Sequence, residues 1–241
     1  MPDAWEASAA EHMKRLPDLF EMARHYSEAG EADKAVKILE ETLAFHPDNI
    51  GVLNRLAVAY NDSGRPEKGR ELLLKAIEKD KRNLSAHIAL AASCVALGAY
   101  DEALGYAARA TELETNSAQA YLAKADALLA MERDQEALVA LEAAARCDPQ
   151  NAAIQMSMGD VCLQNLEQPA EALNHYRAAV RLDPALVSGY VRIGQLNIER
   201  GEAGQAREAI RMIRKLAPSG PALGVLEERL TRLEQEKDKR D

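Results

Sequence analysis

Between Leu84 and Ser117, apolar residues recur at helical spacing, stop at Leu97-Gly98-Ala99, and resume from Tyr100-Asp101-Glu102-Ala103-Leu104 into a polar exit. Apolar residues three and four apart mark one buried helical face, and glycine supplies the backbone freedom for the break. The same pattern fills Ile50 to Asn83 and Ala118 to Asn151, a period of 34 residues. A single helical hairpin of this size cannot bury its own apolar face, so a fixed period in this range predicts stacked hairpins with a continuous core. The predicted fold class is all-α, a right-handed α-solenoid of antiparallel helix pairs. The repeat overrides the expectation of two ordinary domains that 241 residues would otherwise raise.

Taken in order, residues 1–15 predict an N-terminal arm or short helix, with Asp3 as N-cap and Trp5, Ala9 and Met13 along one face. Such a segment serves as a lid on the first hairpin or as an arm that docks on another molecule. Six repeats follow at 16–49, 50–83, 84–117, 118–151, 152–186 and 187–220. Their turns carry Ala29-Gly30-Glu31 or Ser63-Gly64-Arg65-Pro66. Their exits carry His46-Pro47-Asp48-Asn49 or Asp148-Pro149-Gln150-Asn151, where proline halts one helix and Asp or Asn caps the next. The fifth repeat has one extra residue between Cys162 and Glu167, which predicts a longer turn or a helical bulge. Residues 221–241 predict a capping helix with Leu223, Leu226, Leu230 and Leu233 on its apolar face, then a charged, frayed tail from Gln235.

Small residues recur at the eighth repeat position (Ala23, Ala57, Ala91, Ala125, Gly159, Gly194). Alanine recurs near the twentieth (Ala35, Ala103, Ala137, Ala172, Ala206), and proline at the thirty-second (Pro47, Pro149, Pro184, Pro218). Over Leu16 to Gly220 this pattern resembles the tetratricopeptide repeat. It departs from the family at Gly69, which replaces the twentieth-position alanine, at Lys81 and Thr115 in place of proline, and at Lys124 in place of an apolar seventh residue. Glycine inside a helix costs about 0.5–1 kcal/mol relative to alanine, so Gly69→Ala is expected to stabilise the chain.

The resemblance implies a tetratricopeptide-like superhelix acting as a non-catalytic protein–protein interaction module, an adaptor or scaffold. In that family, helix A positions 2, 5, 6, 9, 12 and 13 line a concave groove that binds a partner peptide or amphipathic helix. Carried onto this sequence, the fifth and twelfth positions are Phe20 and Ser27, Asn54 and Asn61, Ile88 and Val95, and Leu122 and Leu129. Met156 and Leu163, then Val191 and Ile198, continue them. The sixth position adds Arg55 and Arg192, and the ninth adds Arg24, Asp126 and Asp160. From the third repeat onward the fifth and twelfth positions are all apolar, and an apolar strip on an acidic chain marks a binding surface unless the chain's own terminal helix fills it. The family's carboxylate clamp is not expected, because Phe20, Arg24, Arg55, Ser85 and Ala89 stand where its Lys, Asn and Arg set belongs. Two alternatives stay open: a self-assembling scaffold whose arm fills a neighbouring protomer's groove, giving a homo-oligomer, and a chaperone-like binder of secretion or assembly subunits.

Composition narrows the partner. The formal net charge of -9 argues against nucleic acid and anionic membrane surfaces, which require clustered Lys and Arg. The first residues lack the basic and apolar regions of a signal peptide, and no stretch reaches the roughly 20 apolar residues of a membrane span. Cys94 and Cys162 share a repeat phase two units apart, too far for a disulfide in a stack, so reduced thiols and a cytoplasmic location are expected. The five histidines form no HxxxH or HExxH pair, and no phosphate loop, dinucleotide loop or nucleophile elbow occurs. No metal, no cofactor and no catalysis are expected.

Overall fold

The computed structural model describes residues 12–238, and among these residues every regular element is an α-helix. Most of the predicted N-terminal arm, Trp5 included, lies outside the described residues. His12–Lys14 form a helical turn, and the His12 ring stacks on Phe45 with centroids 4.4 Å apart. The helices are α1 (Leu16–Glu28), α2 (Ala32–Phe45), α3 (Ile50–Asp62), α4 (Pro66–Lys79), α5 (Leu84–Ala96), α6 (Tyr100–Leu113) and α7 (Ala118–Ala130). They continue as α8 (Asp134–Cys147), α9 (Ala152–Gln164), α10 (Pro169–Leu182), α11 (Val187–Glu199), α12 (Ala203–Leu216) and α13 (Pro221–Asp238). The chain divides between Arg133 and Asp134 into two compact units, α1–α7 and α8–α13.

Local chemistry sets the helix boundaries. Asn49, Asn83 and Ser117 cap α3, α5 and α7 by accepting from the backbone N–H of Val52, Ala86 and Ala120 at 3.1, 3.0 and 3.3 Å. Asn151 does the same for α9 through Ala153 N–H at 3.1 Å. Each cap satisfies one of the donors that a helix N-terminus leaves bare. Proline opens α4 and α10, where its missing N–H costs nothing.

The first helix of each pair ends in one recurring turn. At the end of α5, Gly98 donates to Val95 O at 3.0 Å and Ala99 to Cys94 O at 2.9 Å, with Gly98 at φ +73°. This is the Schellman arrangement, which needs a left-handed residue after the helix. Gly30, Gly64 and Gly201 supply that conformation in their own turns, whereas after α7 it falls to Glu132 at φ 57°. In the fifth repeat the turn is longer and the helix is not bulged. α9 keeps 13 residues, Glu167 takes φ 53°, and Gln168 N–H reaches back to Cys162 O at 2.7 Å.

In the first unit, Ala23, Ala35, Val36 and Leu39 of α1 and α2 pack with Leu56 and Tyr60 of α3. Leu53, Ala57, Leu73 and Ala76 then join Ala86, Leu90, Cys94 and Ala103. Small residues dominate because antiparallel backbones lie close together, and a larger side chain would force them apart. In the second unit Gly159 meets Tyr176: a Cβ on Gly159 would lie 2.5 Å from the Tyr176 ring, which is fully buried. α13 packs on α11 and α12, burying Leu223, Leu226 and Leu230 against Ile198, Ile210 and Ile213. The tail expected to fray from Gln235 continues α13 as far as Asp238.

Gly69 corrects the expectation from propensity. A Cβ there would stand 2.9 Å from the Ala57 carbonyl oxygen and 2.6 Å from Asn61 Oδ1. Asn61 cannot swing away freely, since its Oδ1 accepts from Ser93 Oγ at 3.0 Å. The backbone of α4 approaches α3 too closely for a methyl group.

Gly69→Ala is therefore expected to lower the denaturation midpoint, by the roughly 1–3 kcal/mol typical of overpacking. Glu132→Gly is expected to raise it by a few tenths to about 1 kcal/mol, because the left-handed conformation penalises any Cβ while glycine gives back part of that gain as chain entropy. Urea titrations of both variants check the two signs.

Candidate partner-binding groove

In α5 and in α7, residues three and four apart share one helical face. The fifth, ninth and twelfth positions of α5 place Ile88, Ala92 and Val95 on one wall. Gln119, Leu122, Ala123 and Asp126 of α7, which packs directly on α5, form the other. Together they enclose a groove of about 520 Å³. Ile88 rests on the buried cluster of Ala91, Ala107 and Ala123, and Val95 on the cluster around Leu90 and Cys94. Both are half-buried, with the inner side in the core and the outer side on the groove. Leu122 and Leu129 are also half-buried, and Leu129 stands apart from the groove lining.

Asp126 is the charged group of this groove. Its carboxyl is pushed above the usual carboxylate range by desolvation alone. Among the described residues it has no hydrogen bond and no ion pair. Water still reaches it, since its residue surface is exposed, but the flanking walls displace much of its hydration shell.

The first two pairs are polar at the corresponding positions apart from Phe20. The Arg55 guanidinium lies 4.0 Å over the Phe20 ring, and Arg24 is held between Glu21 and Glu28. Asn54 Nδ2 donates to Asn83 Oδ1 at 3.1 Å, which ties the third helix to the cap of the fifth. Asn54 Oδ1 is buried without a partner at the edge of a cavity of about 380 Å³, which Val58 and Ser85 also line.

In the second unit the expected site residues are dispersed. Asp160 accepts from the Tyr176 hydroxyl at 2.7 Å and pairs with Arg192 Nη2 at 3.2 Å. Burial first, and then this carboxylate, push the Tyr176 hydroxyl well above its ordinary pKa. Met156 and Asp160 line an open depression of about 660 Å³ with Asp148 and Asp183. Leu163 is half-buried outside it. Ile198 does not lie on an open wall: it is 8% exposed and packed with Leu223 and Leu226, and Val191 backs the same cluster. The terminal helix α13 covers that stretch.

Sequence reasoning missed Gln119 and Ala92, although the second and ninth positions hold them. It also missed Tyr176, whose only sequence signal was glycine in place of alanine at Gly159. Among the described residues, no group of three or more His, Cys, Asp or Glu could hold a metal ion, and no helix is long and apolar enough to cross a membrane. Burial pushes the Cys94 and Cys162 thiols above their usual range, which keeps them protonated.

A family model described as Tetratricopeptide repeat matches residues 7–148, and a second with the same description matches residues 162–221. This chain belongs to the tetratricopeptide repeat family. Tetratricopeptide repeat proteins bind other proteins and are generally non-catalytic interaction modules. Solved structures with the same fold include Pseudomonas aeruginosa PilF, at 16% identity over 90% of this chain and 99% of that one, with a TM-score of 0.65. TTC0263, a thermophilic repeat protein of Thermus thermophilus, is 19% identical over 77% of this chain and 98% of its own, with a TM-score of 0.57. YrrB, a repeat protein with an unusual peptide-binding site, is 16% identical over 79% of this chain and 97% of its own, with a TM-score of 0.56. At these identities the likeness is one of fold alone. No curated protein matches the chain in sequence.

The raised carboxyl of Asp126 has a stability consequence of definite sign. Its pKa is higher in the folded chain than in the unfolded one, so ionisation opposes folding. The penalty is absent below the ordinary aspartate pKa of about 3.9 and complete above the folded value. Asp126→Asn in this repeat protein is expected to raise the denaturation midpoint at pH 7. The gain should vanish by about pH 3, which denaturant titrations at the two pH values check.

Proposed function

We propose that this repeat protein is a non-catalytic scaffold that takes a partner segment in the groove between α5 and α7. The observation that carries this reading is the half-buried apolar wall of Ile88, Val95 and Leu122 around about 520 Å³ of open space. Side chains whose inner side is already core present their outer side at little entropic cost, because packing has fixed their rotamers. A partner's apolar side chains gain by covering them. The family's general role in binding other proteins supports the same conclusion. The partner is a peptide or helix of another protein, and the scaffold acts in the cytoplasm without a cofactor. Arg24, Asn54 and Arg55, together with the Phe20 ring beneath Arg55, serve as a largely polar extension of the surface. Met156, Asp160, Leu163, Val191 and Arg192 contribute to recognition within the second unit, while Ile198 belongs to the cap.

Ile88→Glu combined with Leu122→Glu tests the reading. Two carboxylates placed where a partner must desolvate are expected to cost several kcal/mol of affinity. The expected result is loss of co-purifying partners in a pull-down from the native host, with a circular dichroism melt within a few degrees of the parent. A collapsed melt would assign both side chains to the core and remove the groove. Retained partners with an intact melt would move recognition to another surface.

A further inference from the structure

Resting on that groove reading, we propose that Asp126 is its specificity-determining contact and that the occupant is a basic amphipathic segment. Its apolar side chains would cover Ile88, Val95 and Leu122, and one Lys or Arg would sit on the Asp126 carboxylate. Asp126 and Asp160 occupy the same ninth repeat position on their first helices. Asp160 is satisfied internally, by the Tyr176 hydroxyl at 2.7 Å and by Arg192 at 3.2 Å. Asp126 has neither kind of partner among the described residues.

The groove also tells a carboxylate and its occupant apart by charge. The remaining lining side chains, Ile88, Ala92, Val95, Gln119, Leu122 and Ala123, carry no charge, so Asp126 alone sets the sign. A partner that covers the apolar wall strips more water from this carboxylate. That step is unfavourable unless the partner brings a cation, and it is worst if the partner brings another acid. The net charge of -9 adds attraction for basic segments at long range. Arg24, by contrast, is already paired with Glu21 and Glu28.

A random peptide display library panned on the full-length chain tests this, with Asp126→Asn, Asp126→Lys and Leu122→Glu as variants and a melt recorded for each. The wild type is expected to enrich apolar sequences carrying Lys or Arg. A synthetic copy of an enriched peptide should bind at least about tenfold tighter than its Lys→Glu version. Asp126→Lys should invert that preference, Asp126→Asn should flatten it, and Leu122→Glu should abolish binding of either peptide. Peptides lost on Leu122→Glu but indifferent to the charge at 126 would keep the groove and overturn the basic occupant. Peptides untouched by Leu122→Glu, or no enrichment on a well-folded wild type, would overturn the groove itself. Light scattering supplies the remaining arm: a wild-type dimer that Asp126→Lys turns into a monomer would make the occupant a second copy of this chain, against the proposal.

Discussion

Within each unit, the close approach of the first helix of a pair to the second constrains the rest of the packing. Ala23 and Ala35, Ala57 and Gly69, and Ala91 and Ala103 are all buried at these crossings. Backbones this near leave room for a methyl group at most, and at Gly69 not even that. Where one side of a crossing shrinks further, its neighbour grows, as Gly159 does for Tyr176. Core density is thus preserved by exchange of volume between helices rather than by a fixed residue at each position.

That approach also produces the groove. A first helix that spends its small-residue face on its partner helix has another face turned away from it. Between α5 and α7 the walls are only half covered, because α7 leans on α5 without closing over Ile88, Val95 and Leu122. At the chain's last pair the same kind of face is partly closed: α13 buries Ile198 and leaves Val191 half-buried against the same cluster. One structural position therefore yields a wall in one place and a buried contact in another, according to whether a further helix of the chain arrives to cover it.

Charge follows the same logic. Most ion pairs here are exposed links such as Arg65–Asp33 and Lys79–Asp48, which contribute little to stability and weaken with salt. Buried hydroxyls are different, because burial makes their partners count. Tyr60 donates to Glu40 at 2.5 Å and its pKa is pushed up to about 12, mainly by desolvation. Asp126 has the desolvation without the donor, so its carboxyl keeps the penalty that the Tyr176 hydroxyl and Arg192 relieve at Asp160.

Much of the architecture was legible in the sequence because its causes are local. Apolar spacing gave the helices, Asn49 and Asn151 gave the caps, and Gly30, Gly64 and Gly98 gave the turns, since each acts through residues within one turn of itself. The tertiary structure alone decided the rest. Propensity favoured alanine at Gly69, but an oxygen 2.9 Å away on another helix overrides propensity. Repeat register put Ile198 on the wall with Ile88, yet only the path of α13 separates a covered position from an open one. Asp126 and Asp160 read alike in sequence, and what distinguishes them is whether a hydroxyl and a guanidinium lie within hydrogen-bonding reach. Helix and turn follow from neighbours along the chain, whereas close approach, coverage and pairing depend on distances of a few ångströms between segments that are far apart in it.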